Sequence, residues 1–534
     1  MIDQLCAQVD GARMMGWLTE LARWVKLSGT PEEAESLAYV KAQLDGFGYR
    51  TRVLEHDAYI SLPGAASAVV DGVALKSITH SMAVSSPPGG LSAPLVYVGE
   101  GSEAEFAAID ARGKIVLAEG IASPAVALRA SRAGALGQLH ISPHEHLHEM
   151  CLSPVWGSPA PETQSMLPST VVVTISQADG EAVKAKLEAG AAPHVVLHAE
   201  VHTGWRRTPI LEAEIGEPDA PFILFSGHHD TWYFGVMDNG AANVTMLEVA
   251  RLLAARRGEW KRGLRLCFWS GHSHGRYSGS AWYADHHWAE LDARCAVHVN
   301  VDSTGGKGFS VLGEAGTASE LAALAAEAVP AQTGQAHKGK RIGRAGDESF
   351  WGIGVPAMYM AMSQQPAGGA KMRHSLGWWW HTPDDLLDKI DPDNLVRDTR
   401  VYVHTIARLL TDAVLPLDYA AHLAQLRAQL VPLPGTEAAL AALDALLARV
   451  EAATPDDAAL MRLSRALVPL DYTTGDRFSH DPALPQSPWP VLDPLRRLAA
   501  AEAGSDAAKL LAVAAQRARN RVLHALGEAG RAIG

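Results

Sequence analysis

Between residues 206 and 400 the chain repeats one pattern. A short unbroken apolar run meets a turn rich in glycine, histidine and aspartate, and helix-spaced apolar positions follow. The runs at 222–226, 264–269, 296–301 and 356–360 are apolar almost throughout, as expected of strands covered on both faces. Ala242, Met246, Val249 and Leu253 keep helical spacing between the first two. This alternation predicts an α/β fold, a mixed and mostly parallel sheet with helices on both faces. Upstream, residues 17–27 and 32–44 read as amphipathic helices, Gly46 and Gly48 end the second, and 49–54 reads as a strand. From 57 to 205 the units shorten. Strands are expected at 95–98, 114–117, 139–141 and 171–175, and helices at 125–133 and 180–187. Beyond 400 the chain is rich in alanine and leucine and reads as helical, broken by Pro432, Pro434 and the prolines between 482 and 494.

The pattern divides the chain into four stretches: 1–56, 57–205, 206–400 and 401–534. A length of 534 residues leaves ample core for each. The formal charge of −13 argues against a nucleic-acid partner, which needs a basic face. No run of 18 apolar residues predicts a membrane span, and Met1-Ile2-Asp3-Gln4 does not open like a signal peptide. Cys6, Cys151, Cys267 and Cys295 are scattered, with no CxxC pair, which fits a reducing cytoplasm.

Chemistry gathers where the strands end. The first run leads into Gly227-His228-His229-Asp230, the second into Gly271-His272-Ser273-His274, and the third into Asp302-Ser303. Asp238-Asn239-Gly240 opens the helix after the first strand, and Trp380-His381-Thr382-Pro383-Asp384-Asp385 forms a later loop. Ligands of open α/β sheets sit beyond the carboxyl ends of strands, and imidazoles with carboxylates suit Zn²⁺ or another divalent transition ion. Asp230 is positioned to orient His228. Pro383 is placed to start a helix, with Asp384 and Asp385 at its N-terminus.

These motifs resemble the co-catalytic zinc aminopeptidase and glutamate carboxypeptidase family, in its transferrin-receptor-like branch. The matching pieces are Gly227-His228-His229-Asp230-Thr231-Trp232, the segment from Gly235 to Gly240, Asn300-Val301-Asp302-Ser303 and His381-Thr382-Pro383-Asp384. The resemblance implies three domains: a zinc exopeptidase-like metallohydrolase domain made of 1–56 with 206–400, a protease-associated domain inserted at 57–205, and a C-terminal helical domain at 401–534 that forms a homodimer. It also implies two metal ions bridged by Asp238, with His228 and Asp302 completing one and His381 with a further residue the other. A single ion or another metal is the alternative. The reaction implied is hydrolysis of an amide in a small peptide or acylated amino acid.

The chain departs from that family at one place. An adjacent Glu-Glu pair should follow Trp269, the first as general base and the second as metal ligand; here His272, Ser273 and His274 stand instead, and Gly279-Ser280 comes one residue late. Serine is a poor zinc ligand and imidazole a good one. One of His272 and His274 is therefore expected as ligand, His274 among them, and the other as ligand, base or proton shuttle. In an extended segment the two would point the same way. Glu348 offers a third candidate base. Two rival readings follow from the missing glutamates: an inactive binding scaffold, and a hydrolase of non-peptide amides. Outside the motifs, His144-Glu145-His146-Leu147-His148 matches a zinc-protease pattern that needs a helix. Its first reading is a plain surface loop, and its second a loop that overhangs the main site and touches substrate. Trp378, Trp379 and Trp380 are candidate pocket walls, and Arg341, Arg344 and Arg373 are candidate partners for a substrate carboxylate.

Overall fold

The computed structural model describes residues 2–368, 372 and 375–533. The apolar runs form the parallel centre of an eight-stranded sheet. There β10 (Phe222–His228) lies between β11 (Gly263–Trp269) and β12 (Cys295–Asp302), and β13 (Ala357–Ala361) flanks β12. Past β11 the sheet becomes antiparallel through β9 (Val195–Ile215), β1 (Arg50–Val70) and β2 (Val73–Leu75), with β4 (Leu91–Ser92) also on β9.

Alternation along β10 shows why its strand has to be apolar throughout. Ile223 and Phe225 join the core under the helices Ala242–Ala254 and Pro392–Thr411, while Phe222 and Leu224 face Tyr283 and Leu291 on the opposite side. Each of these strand residues is fully buried, contributing about 1.5–3 kcal/mol apiece.

A second sheet holds β3 (Ser77–Ile78), β8 (Val171–Ile175), β7 (Gly137–Ile141), β6 (Ile115–Glu119) and β5 (Leu95–Tyr97), the last four mutually parallel. The two sheets are tied by β1 and β9. These strands pair from Arg50–Glu214 to Val70–Val195, with one irregularity between Pro63 and Ala66. The expected strand at 49–54 thus covers only the first five residues of the 21 in β1. Its far end, Ala68 and Val70, packs in the core of the second sheet with Val195 and Leu197.

Two helix expectations need correcting. The first helix is Gly11–Leu21, capped by Asp10, whose side chain accepts from the Arg13 amide. It ends before 27 because the chain turns inward to bury Lys26, whose Nζ donates to the carbonyls of Leu21, Trp24 and Phe234. No helix starts at Pro383. The long helix begins at Pro392, where Asp391 accepts from the amides of Asp393 and Asn394. After it come the helices Tyr419–Leu430, Glu437–Ala452, Asp457–Tyr472, Asp493–Ala500 and Asp506–Ala532. Among the described residues no helix is long and apolar enough to cross a membrane. All four cysteines are buried and unpaired.

Candidate metal centre

The carboxyl ends of β10, β11 and β12 meet at one edge, and the charged residues of their loops meet with them. His228 closes β10. Its Nδ1–H donates to the main-chain carbonyl of Asp230 at 2.7 Å, which turns Nε2 toward Asp238 Oδ1 at 3.0 Å and Asp302 Oδ2 at 3.7 Å. The Asp230 carboxylate, expected to orient this ring, lies 3.9 Å away and instead accepts from Ser28 Oγ and from the amides of His272 and Ser273.

Asp238 sits in the tight turn before the central helix, and its second oxygen, Oδ2, lies 3.1 Å from His381 Nε2. The turn needs glycine at 235. That residue has φ 50°, and a Cβ there would fall 2.3 Å from the Asp238 carbonyl oxygen. Asp385 holds the turn from outside by accepting the amides of Met237 and Asp238 at 2.9 and 3.0 Å. Its role is therefore a bond to the Asp238 loop, and not the helix N-terminus expected for it. Asn239 ties the strand ends together, donating to the carbonyls of His228 and Val301 and accepting from the Ser303 amide.

His381 adopts φ 58° on its loop. Its Nδ1 donates to the Glu149 carbonyl at 2.6 Å, and the Glu149 amide donates back to the His381 carbonyl at 3.1 Å. The 143–150 segment forms no helix, so the zinc-protease pattern at His144 is not built. The segment does overhang the main site. His148 Nδ1 bonds the Trp380 carbonyl at 2.5 Å.

His272 stacks on His228 with ring centroids 3.7 Å apart, and its Nδ1 lies 2.9 Å from Asp347 Oδ2. Ser280 Oγ donates to the other oxygen of Asp347 at 2.9 Å. A ring nitrogen of His228, one of His272 and an oxygen of Asp302 lie within 4.8 Å of one another. The segment carrying His272 and His274 is a turn, with positive φ at Gly271, Arg276 and Tyr277, so the two rings make different contacts. His274 is fully buried, its Nδ1 3.0 Å from Ser28 Oγ and its ring 4.4 Å from that of Trp232. Glu348 does not line the cleft. It is buried against His298, Oε2 to Nδ1 at 3.1 Å, and His298 in turn bonds Ser226.

The electrostatics fit a cation. His228 Nε2 and Asp238 Oδ1 lie 3.0 Å apart but not in hydrogen-bonding geometry, so that among the described residues these two atoms and His274 Nε2 are buried without a hydrogen-bond partner, a costly state for polar atoms. Burial lowers the His228 pKa, yet the surrounding Asp238, Asp302 and Asp230 carboxylates raise it to about 10. Burial and the nearby Asp238 charge raise the Asp302 carboxyl above its ordinary range. The imidazoles of His228 and His272 with the Asp302 carboxylate are a donor set for a divalent transition ion, and Asp238 adjoins it through His228.

These groups open on a cleft of about 380 Å³ lined also by Trp232, Arg276, Tyr277, Arg344, Leu376 and Trp380. Sequence reasoning missed three contributors: Asp347, Glu149 and Arg276. For Asp347 the signal was present, since it adjoins Glu348 in the segment already singled out. Glu149 acts through its main chain, which no residue type announces. Of the three arginines expected to meet substrate, Arg341 is tied to Asp471, Arg344 lines the cleft, and Arg373 lies outside the described residues.

Residues 210–406, which carry every side chain of the cluster, match Peptidase family M28. The chain is similar to the probable glutamate carboxypeptidase VP8 of Zea mays, 23% identical over 75% of this chain and 67% of that protein. It is also similar to the probable glutamate carboxypeptidase AMP1 of Arabidopsis thaliana, 22% identical over 57% of this chain and 53% of that protein. It thus spans about two thirds and about half of these relatives. In fold it is similar to a Peptidase M28 precursor from Shewanella amazonensis, with TM-score 0.62 and 19% identity over 78% of this chain and 97% of that one. An aminopeptidase from Aneurinibacillus sp. strain AM-1 gives TM-score 0.59 and 21% identity over 77% and 96%.

Proposed function

We propose that this chain, whose residues 210–406 match Peptidase family M28, is a metal-dependent hydrolase of an amide bond in a small peptide or acylated amino acid. The observation that carries the reading is the convergence of His228 Nε2 and Asp238 Oδ1, buried and without hydrogen-bond partners, at the carboxyl edge of a parallel sheet. His228, Asp238, Asp302 and His381 would hold zinc, and His274 would join as the further ligand beside His381. The resemblance to the transferrin-receptor-like branch favours two ions. A bound ion would polarise the amide carbonyl and acidify a water.

The chain's own residues set up the rest. Asp347 accepts the Nδ1–H of His272, leaving Nε2 as the basic nitrogen. His272 is then the general base that replaces the missing glutamate, taking a proton at Nε2 while Asp347 stabilises the imidazolium. Glu149 fixes the tautomer of His381 through Nδ1, as a hydrogen bond on the far nitrogen of a ligating histidine does. Glu348, buried on His298, is not needed as a base. The helices beyond 400 are proposed to form a homodimer interface, in keeping with Leu510 and Val513 exposed on Asp506–Ala532.

Elemental analysis of chain purified without chelator, beside His228→Ala and Asp302→Ala, tests the metal site. One or two equivalents of a transition metal, lost in both variants, support it. No metal after reconstitution with Zn²⁺, Mn²⁺, Ni²⁺ or Co²⁺ overturns it in favour of a binding scaffold. A two-to-one fall in His274→Ala identifies the second ion's ligand.

A further inference from the structure

An indole N–H can donate a hydrogen bond but not accept one, so a buried tryptophan fixes the direction of the bond it makes. Trp156 lies on the segment between β7 and β8 and is buried. Its ring is held from several sides. The Arg344 guanidinium packs over it at 4.2 Å, the Tyr277 ring lies 4.4 Å away, and Ala281 and Ala483 complete the cluster. The next residue, Gly157, takes φ 73° and donates its amide to the Arg276 carbonyl at 2.7 Å; a Cβ there would fall 2.7 Å from that of Ala281. With the ring so fixed, Nε1 donates to Ser349 Oγ at 2.9 Å, across 193 residues of chain.

From Ser349 a line of hydrogen bonds leads to His272. Ser349 Oγ and Ser280 Oγ lie 2.9 Å apart, Ser280 Oγ lies 2.9 Å from Asp347 Oδ1, and Asp347 Oδ2 lies 2.9 Å from His272 Nδ1. Asp347 and Ser349 both reach Ser280, while Glu348 between them turns to His298. Ser280, Asp347 and Ser349 are all buried, so their polar atoms must find partners inside the protein.

The Ser280 hydroxyl has one hydrogen and three oxygens within reach: Asp347 Oδ1, Ser349 Oγ and the Tyr277 carbonyl, the last at 3.2 Å. Trp156 settles the choice. Its N–H fills a lone pair of Ser349 Oγ and turns the Ser349 hydrogen toward Ser280. Ser280 then accepts from Ser349 and gives its own hydrogen to the carboxylate, the strongest acceptor of the three. Asp347 is thereby bonded on both oxygens, to Ser280 and to His272, and cannot rotate without losing one bond. Without the indole N–H, Ser349 is free to accept from Ser280, and Asp347 loses its second donor.

We propose that Trp156 is a positioning residue for His272: its indole N–H sets the direction of a hydrogen-bonded line through Ser349, Ser280 and Asp347 that holds the imidazole in one tautomer. A loop of the second sheet thus acts on the central site from behind the wall that Tyr277 gives the cleft. The chemical purpose rests on the reading of His272 as general base; the line of bonds and its first test do not.

That test is one-dimensional proton NMR of the full chain, in the far-downfield region where imidazole N–H protons bonded to carboxylates resonate. His298 and His422 also bond carboxylates, so the His272 signal is the one that Asp347→Asn removes. Trp156→Phe keeps an aromatic ring and removes the N–H, Ser349→Ala cuts the next link, and Ser349→Thr restores a hydroxyl. Melting temperature is the check on folding. The His272 signal should move or broaden in Trp156→Phe and Ser349→Ala and stay near its wild-type position in Ser349→Thr. A signal unmoved in Trp156→Phe or in Ser349→Ala overturns the proposal, as does the lack of any signal that Asp347→Asn removes. The second readout is hydrolysis of leucine p-nitroanilide. Trp156→Phe should lower kcat about 3–10-fold, less than Asp347→Asn does, with KM within about twofold. In the Asp347→Asn background it should change kcat less than about twofold, because a residue acting through Asp347 has nothing left to act on. Losses that multiply in the double variant overturn the proposal. Failure of the hydrolase reading looks different: the downfield signal responds as expected and no amide is turned over.

Discussion

The molecule contains two sheets with parallel centres, and each has a cavity beyond its strand ends. Only one is built for chemistry. Beside the second sheet the cavity is larger, about 590 Å³, and holds Glu100, Glu119, Arg129 and Glu181. There Glu119 accepts from Tyr97 and Lys184 at 2.5 Å each, and Arg129 donates to the Gly101 carbonyl. Beside the central sheet the cavity is smaller, about 380 Å³, but it is bordered by buried nitrogens and oxygens that have no hydrogen-bond partner. Volume therefore does not mark the site. What marks it is polar atoms desolvated by folding and left for something else to satisfy.

The comparison is broken most directly by Asp238→Ala, which removes the carboxylate shared between His228 and His381. Amide hydrolysis should fall by about 10⁴-fold, equivalent to about 5.5 kcal/mol, and bound metal should be lost, read by kcat/KM and elemental analysis. Next is Leu139→Ala in the second sheet, fully buried in that core. It should cost about 2–5 kcal/mol in chemical denaturation while metal content stays at the wild-type level. A metal loss equal to that of Asp238→Ala would mean the two sheets are not separable in this way. Asp347→Asn should lower kcat about 10–100-fold and flatten the acid limb of its pH profile, because the His272 tautomer is no longer held; an unchanged profile would remove Asp347 from the mechanism.

Smaller again is a pH effect confined to the second sheet. His80 bonds Thr174 there, and burial, then the neighbouring His140, hold its pKa at about 3 against an ordinary 6.5. The folded state binds this proton less readily than the unfolded chain. The contribution of His80 is complete above pH 6.5 and is lost as pH falls toward 3, at about 1.4 kcal/mol per pH unit. The melting temperature of His80→Gln should fall less steeply with acid over that window. Smallest is Glu119→Gln in the larger cavity, which should change kcat/KM less than about twofold, as surface substitutions away from a site do.

Much of the fold was legible because burial on two faces leaves a simple trace. A strand such as β10 must be apolar at every position, and the helix after it must be apolar at every turn. His228, Asp238, Asp302 and His381 could be picked out for the same reason, as polar residues standing where such runs stop. The contacts of His272, His274 and Glu348 could not be read in this way. The two histidines depend on a turn whose left-handed residues include Arg276 and Tyr277, and Glu348 on a loop packed against His298; neither segment has periodicity. The alternation of apolar runs and helix-spaced positions by itself determined the layered α/β core and the edge at which charge would collect, since both follow from local periodicity and the avoidance of buried polar groups. Only the tertiary structure decided which charges meet. Asp347 reaches His272 across 75 residues, and Glu149 reaches His381 across 232. Such pairings are set by how whole elements pack, and packing depends on surfaces assembled from distant parts of the chain.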